Sequence, residues 1–332
     1  MKKESDSKIK PQHIIIGAAI VLTGVAGVVA YQNRVAISDW ISGLSYTPTA
    51  EISAIEDSIG LTDSAKKVLH ATHPSLESKE AFNVLCDSHN KNISVLGCYT
   101  NNRIYLYDIS EEGLSGVKES TMAHELLHAV WDRMTDSEKT TISALLTDVY
   151  NDEQYHSLLA EDLENYDESK RMDELHSRVG TEIVELPAEL EAHYTKYFKD
   201  QNAIVMYFND YVTPFRELSQ KIEEISDRLE TLGSEIEQKS QEYHELAENL
   251  SADITKFNDC ANKSGCFSTT ALFQSARNEL LTRKAEIEQM YETISNLIKE
   301  HNTLVDEYND SIVRGQTLES IINSNSKLEE IK

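Results

Sequence analysis

Aromatic residues are few, 7% of the 332-residue chain, and positive charge is scarce, with 31 Lys and Arg against 57 Asp and Glu. The first shortage, beside 27% charged residues, points to long solvated helices alongside a smaller globular part. The second leaves a net charge of -26 and excludes nucleic acid as a partner, because phosphate contacts need clustered Lys and Arg. No CxxC pair occurs among the four cysteines, which excludes a zinc ribbon. Cys86 and Cys98 flank a polar loop, and Cys260 and Cys266 bracket Ala-Asn-Lys-Ser-Gly. Two short-range disulfides are therefore the natural pairing, and they suit an exported protein. Closing a loop of a dozen residues stabilises the fold by about 3 kcal/mol.

One long uncharged run is present. Lys2, Lys3, Lys8 and Lys10 precede residues 13–31, which carry no charge. As a helix this stretch would measure roughly 28 Å, close to one bilayer core. The lysines on its N-terminal side, against Arg34 alone just after it, place residues 1–12 in the cytoplasm and the rest outside. A cleaved signal peptide ending near Ala30 is the other reading. The run is longer than the usual signal-peptide core, which favours a retained anchor.

Residues 32–50, with Gly43, Thr47, Pro48 and Thr49, read as a linker. A helical stretch is expected over 51–70, broken near Gly60 and ended before Pro74, with His70, His73 and His89 in exposed helix-end and loop positions. Residues 103–109 are β-branched and aromatic and read as a strand. Gly113, Ser115 and Gly116 mark the following loop. Ala123, Leu127, Val130 and Met134 give residues 118–134 the apolar face of a helix. Thr135 and Glu138 form a capping-box signature for the next one. Further helices are expected over 137–150, 154–165, 170–186 and 187–200, with Pro187 in the first turn of the last.

Past residue 213 the texture changes. Leu218, Ile222, Ile225, Leu229, Leu232 and Ile236 alternate at spacings of four and three, as a coiled-coil seam does. Tyr243, Leu246 and Leu250 rejoin that register. A second run keeps period seven through Phe273, Leu280, Ile287 and Ile294, with Ala276, Arg283 and Met290 as its companion row. The simplest geometry is an antiparallel hairpin over 213–325, stapled at its tip and followed by a tail at 326–332. Lys239, Asp253, Arg283 and His301 are polar intruders in its seam. Pairing with a protein partner or with a second copy is the alternative.

The run His124-Glu125-Leu126-Leu127-His128 carries the chemistry. Two imidazoles four apart on one helix can hold two corners of a tetrahedral zinc site, with Glu125 beside it as general base. The uncharged flanks Thr121-Met122-Ala123 and Ala129-Val130 suit a buried helix. The other reading is two surface histidines on an ordinary helix.

With this motif the chain resembles the zincin metallopeptidases, in which a strand precedes the HExxH helix and runs beside the bound substrate. Residues 103–109 would be that strand. The metzincin branch is excluded, because Trp131 and Met134 stand where it has its Gly and third His. The gluzincin branch takes a later glutamate as third ligand, followed at the third position by a small residue. The resemblance thereby implies Glu174, from Glu174-Leu175-His176-Ser177. On a wheel of residues 170–186, however, Met172, Leu175, Val179, Ile183 and Leu186 share one face, and Glu174 points away from it. Glu182, His176 and His193 therefore stay open as third ligands unless the helix is wedged between two surfaces. Arg178 either orients Glu174 or makes a surface ion pair. Tyr194, His193 and Tyr155 are candidate oxyanion donors.

The expected fold is mainly α with a small β element: a transmembrane helix, a zincin-like α+β domain at 51–212 and a long coiled-coil hairpin. The expected function is a membrane-anchored, extracytoplasmic, zinc-dependent metallopeptidase acting on a peptide or protein substrate. The rival is a surface interaction protein that binds through the coiled coil and carries an inactive zincin domain. A third use of the arm is as spacer or substrate ruler.

Overall fold

Hydroxyl caps set most helix starts in the first half of the chain. In the computed structural model, which describes residues 33–86, 95–109, 114–163 and 166–323, α1 (Arg34–Gly43) is followed by α2 (Ala50–Ser58) and α3 (Asp63–Ala71). Thr49 and Thr62 each accept a hydrogen bond from the amide three residues on, which satisfies an orphan donor of the first turn. Ser78 does the same for α4 (Lys79–Leu85). The expected cytoplasmic segment and membrane helix, His89, Gly113 and the tail lie outside the described residues. Among the described residues no helix is long and apolar enough to cross a membrane.

The sheet has three strands in the order β1 (Ser75–Glu77), β3 (Arg103–Tyr107), β2 (Gly97–Thr100). β1 runs parallel to β3 and β2 antiparallel to it. Asn101 and Asn102 join β2 to β3 with φ of 50° and 58°. Positive φ at both central residues is what a tight hairpin matching strand twist requires, and Asn tolerates it. Ile104 and Leu106 point from β3 into the core.

That core is organised by α5 (Val117–Arg133), which packs against α2, α3, β2, β3 and α8 (Glu168–Glu182). Met122, Leu126 and Leu127 of α5 are fully buried, each burial stabilising by about 1.5–3 kcal/mol. Between α5 and α8 in sequence come α6 (Asp136–Asn151), opened by a complete Thr135–Glu138 capping box, and α7 (Glu153–Leu163). After α8 comes α9 (Ala188–Tyr194).

Several expectations change here. The stretch expected as a linker carries α1, which docks on the body through an Asp39–Arg133 fork at 2.8 Å and through Ser42 Oγ donating to the Ala71 carbonyl. The helix expected over 187–200 stops at Tyr194, with Pro187 as its cap. The chain then turns to bond the α2–α3 loop, where Thr62 N donates to the Tyr197 carbonyl and Lys199 N to the Gly60 carbonyl. His70 and His73 are also tied down, to Glu56 and Ser42 respectively.

Residues Phe215–Glu319 form a second unit made from α10 (Gln201–Ala261) and α11 (Thr270–Ile322). Arg228 meets Glu300, Tyr243 meets Tyr291, Asp253 meets Arg283 and Phe257 meets Phe273. Moving forward along one helix moves backward along the other, so the two run antiparallel. The polar residues Asp253 and Arg283 satisfy each other across the seam at 2.8 Å. The disulfides are Cys86–Cys98 and Cys260–Cys266.

Candidate metal centre

Two helices supply the centre. On α5, the four-residue spacing of His124 and His128 is about one turn, so both rings leave the same face and their Nε2 atoms lie 3.1 Å apart. α8 crosses this face with Glu174, whose carboxylate oxygens lie 3.6 Å from His124 Nε2 and 3.4 Å from His128 Nε2. α8 comes this close because residue 180 is glycine. A Cβ there would stand 2.5 Å from Leu127 Cδ1 and 2.5 Å from Tyr194 Cε1.

These distances can be compared with what a metal demands. Donors about 2.0–2.1 Å from a tetrahedral zinc stand about 3.3 Å from one another. The imidazole nitrogens here are 3.1 Å apart, and each lies 3.4–3.6 Å from a different oxygen of the one Glu174 carboxylate; taken one atom per residue, the three donors lie within 4.8 Å of one another. The donor set of two imidazoles and one carboxylate suits zinc chemically and leaves a fourth position. The residues fit the ion.

Asp173 completes the arrangement. His128 Nδ1–H donates to Asp173 Oδ1 at 2.8 Å, which orients the ring and turns Nε2 toward Glu174 and His124. Burial opposes charge on His128, yet the bonds to Asp173 and Glu174 hold its pKa well above the ordinary value. Burial also opposes the Glu174 anion, and the two histidines outweigh it and push that carboxyl far down. Glu125 shows the reverse balance: burial raises its pKa against the pull of His128 and His124. Asp173→Asn is expected to weaken zinc binding about 10–100-fold while the fold survives, because Asn cannot hold the imidazole as a carboxylate does. Competition with a zinc chelator measures this, and unchanged affinity would remove Asp173 from the site.

No protein-family model, curated protein or solved structure matches the chain. The site therefore stands on its own geometry.

Around the centre lies a cleft of about 720 Å³. Its lining includes Gly97 and Tyr99 of β2 together with Tyr166, Lys170, Phe208 and Tyr211. The strand beside the site is thus β2 and not residues 103–109. β3 is paired on both sides and has no free edge, whereas β2 is at the border of the sheet. Gly97 lets β2 lie on α5, since a Cβ there would stand 2.6 Å from Thr121 Cγ2 and 2.8 Å from Glu125 Cγ.

The other candidates fall elsewhere. His176 is fully buried and bonds His193 at 2.9 Å. Burial and the neighbouring His193 hold its pKa well below the usual range. Glu182 lines the cleft and is forked by Arg178 at 2.9 and 3.0 Å, a buried pair. Tyr194 is buried and donates to the His176 carbonyl, and Tyr155 bonds the Val184 carbonyl. The polar residues the sequence reading passed over are Asp173, Tyr166 and Tyr211. Tyr166 lines the cleft with Glu174, and burial with the Glu174 and Glu125 charges pushes its hydroxyl up. Burial and Glu182 push Tyr211 up to about 12. Only Asp173 had a local signal, as a carboxylate adjoining the glutamate of Glu-x-x-small.

Proposed function

We propose that the protein is a zinc-dependent peptidase of the zincin type, anchored through residues 13–31 with its cleft outside the membrane. The observation that carries the reading is the convergence of His124, His128 and Glu174, with ligand atoms within 4.8 Å of one another, in an open cleft that Glu125 also lines.

Bound zinc supplies a Lewis acid that makes a water acidic near neutral pH. The chain's own residues then divide the work. Glu125, which lines the cleft beside the two histidines, would accept the water proton as the C–O bond forms and return it to the amine as C–N breaks. The border of β2 offers main-chain groups to an extended peptide, in the manner of strand addition. Tyr166 and Tyr211 supply hydroxyls in the same cleft. The rival reading is an interaction protein that binds through the coiled coil and carries an inactive domain; the nearness of Glu174 to both histidines favours the peptidase over it.

The test is metal analysis of the purified chain. One zinc per chain is expected, and none in the His124→Ala/His128→Ala double variant. Chelator-sensitive cleavage of a peptide library should accompany the metal. A double variant that retains its zinc would overturn the site.

A further inference from the structure

Helix α1 is two-sided in an unusual sense. Asp39 and Ser42 lie on one side and hold it to the body, and Gly43 packs beside His70 there. On the opposite side Ile37, Trp40, Ile41 and Leu44, at the i, i+3, i+4, i+7 spacing of a single helix face, are 42%, 64%, 58% and 69% exposed. Water therefore meets a continuous apolar face on a helix whose polar contacts are already used for docking. An apolar stripe of this kind on a soluble surface marks something that covers it.

Position in the chain says what covers it. The uncharged residues 13–31 end two residues before the start of the described structure and three before Arg34, which opens α1. An anchor of that length must leave the bilayer beside α1. Trp40 is a residue type that favours the headgroup level, and Arg34 heads the helix where the anchor would emerge.

We infer that α1 lies in the membrane interface, with Ile37, Trp40, Ile41 and Leu44 among the lipid headgroups and upper acyl chains; this rests on the anchor reading of residues 13–31. The docking side carries a consequence for the cleft. Arg133, which Asp39 forks, ends the HExxH helix and also donates to the Tyr99 hydroxyl at 3.1 Å. Tyr99 rims the cleft. Two side-chain contacts thus separate the lipid-facing helix from the cleft rim, and they hold the cleft at the membrane surface, within reach of chain segments close to the bilayer.

The test uses the full chain reconstituted in phosphatidylcholine vesicles, a neutral lipid that does not repel a chain of net charge -26. The lipids carry bromine at a shallow or a deep acyl position, and tryptophan emission is read. Trp40 and Trp131 are the two tryptophans, and Trp131 packs on the protein core. Shallow bromines are expected to quench roughly half of the emission, because one of the two rings sits at headgroup level. Trp40→Phe should abolish that quenching, and aqueous acrylamide should then gain little from Trp40 in the wild type. Trp40 open to acrylamide and untouched by bromine overturns the inference and leaves the anchor in place. Shielding from both also overturns it, since protein, such as a second copy, then covers the face. A chain that fails to float with the vesicles overturns both the inference and the anchor.

Discussion

Glu125→Gln is expected to retain one zinc per chain and to lose about 10²–10⁴-fold in peptide hydrolysis, the range that general-base catalysis supplies. The substitution nearly preserves shape, which matters because the Glu125 side chain lies directly under the backbone of Gly97. A shorter replacement would disturb β2 and confuse loss of chemistry with loss of the cleft rim. Gln fills the same space, removes the proton acceptor and leaves His124, His128 and Glu174 as they are. Zinc content and turnover of a cleaved library peptide, measured on the same preparation, separate the two effects. Cleavage at the wild-type rate would exclude Glu125 as the base.

The second large effect concerns Gly180, where two opposing contributions can be weighed. Alanine in place of a mid-helix glycine ordinarily stabilises by about 0.5–1 kcal/mol, through the lower entropy of the unfolded chain. At position 180 the new Cβ would enter the space of Leu127 and the Tyr194 ring, both fully buried. Overpacking of that kind costs about 1–3 kcal/mol, so Gly180→Ala is expected to destabilise. The same clash pushes α8 away from α5, so zinc affinity should fall with stability. Gly233 in α10 is the control: a Cβ there meets nothing within 4 Å, and Gly233→Ala should stabilise by about 0.5–1 kcal/mol. Denaturant unfolding of the two variants reads opposite signs. Equal shifts would show that the contact between α5 and α8 is looser than described.

What the sequence revealed was local. The HExxH spacing, the Thr135–Glu138 capping box, the cysteine pairs and the 4-3 seam are each contained in a short window or a single period. What it hid depended on contacts between distant segments. Nothing in residues 97–107 says which strand is central, because that is decided by β1 pairing with β3 from 30 residues upstream. The docking of α1 depends on Arg133, 94 residues away. Glu174 was hard to place for a third reason. The wheel of residues 170–186 assumed one buried face, whereas α8 has its apolar side in the core and its Glu174 side against α5 and the cleft.

Past its exposed first turn, helix α8 therefore has no free side. Residues Glu174 through Thr181 are buried without a break, two charged side chains among them. A typical surface helix has a stripe along which substitutions accumulate at little cost; this segment has none. Each position answers to the core, to the paired helix or to the candidate metal centre. Over evolutionary time the segment should drift as a block or not at all, and a relative too distant to align elsewhere would be sought first by these eight letters beside an HExxH.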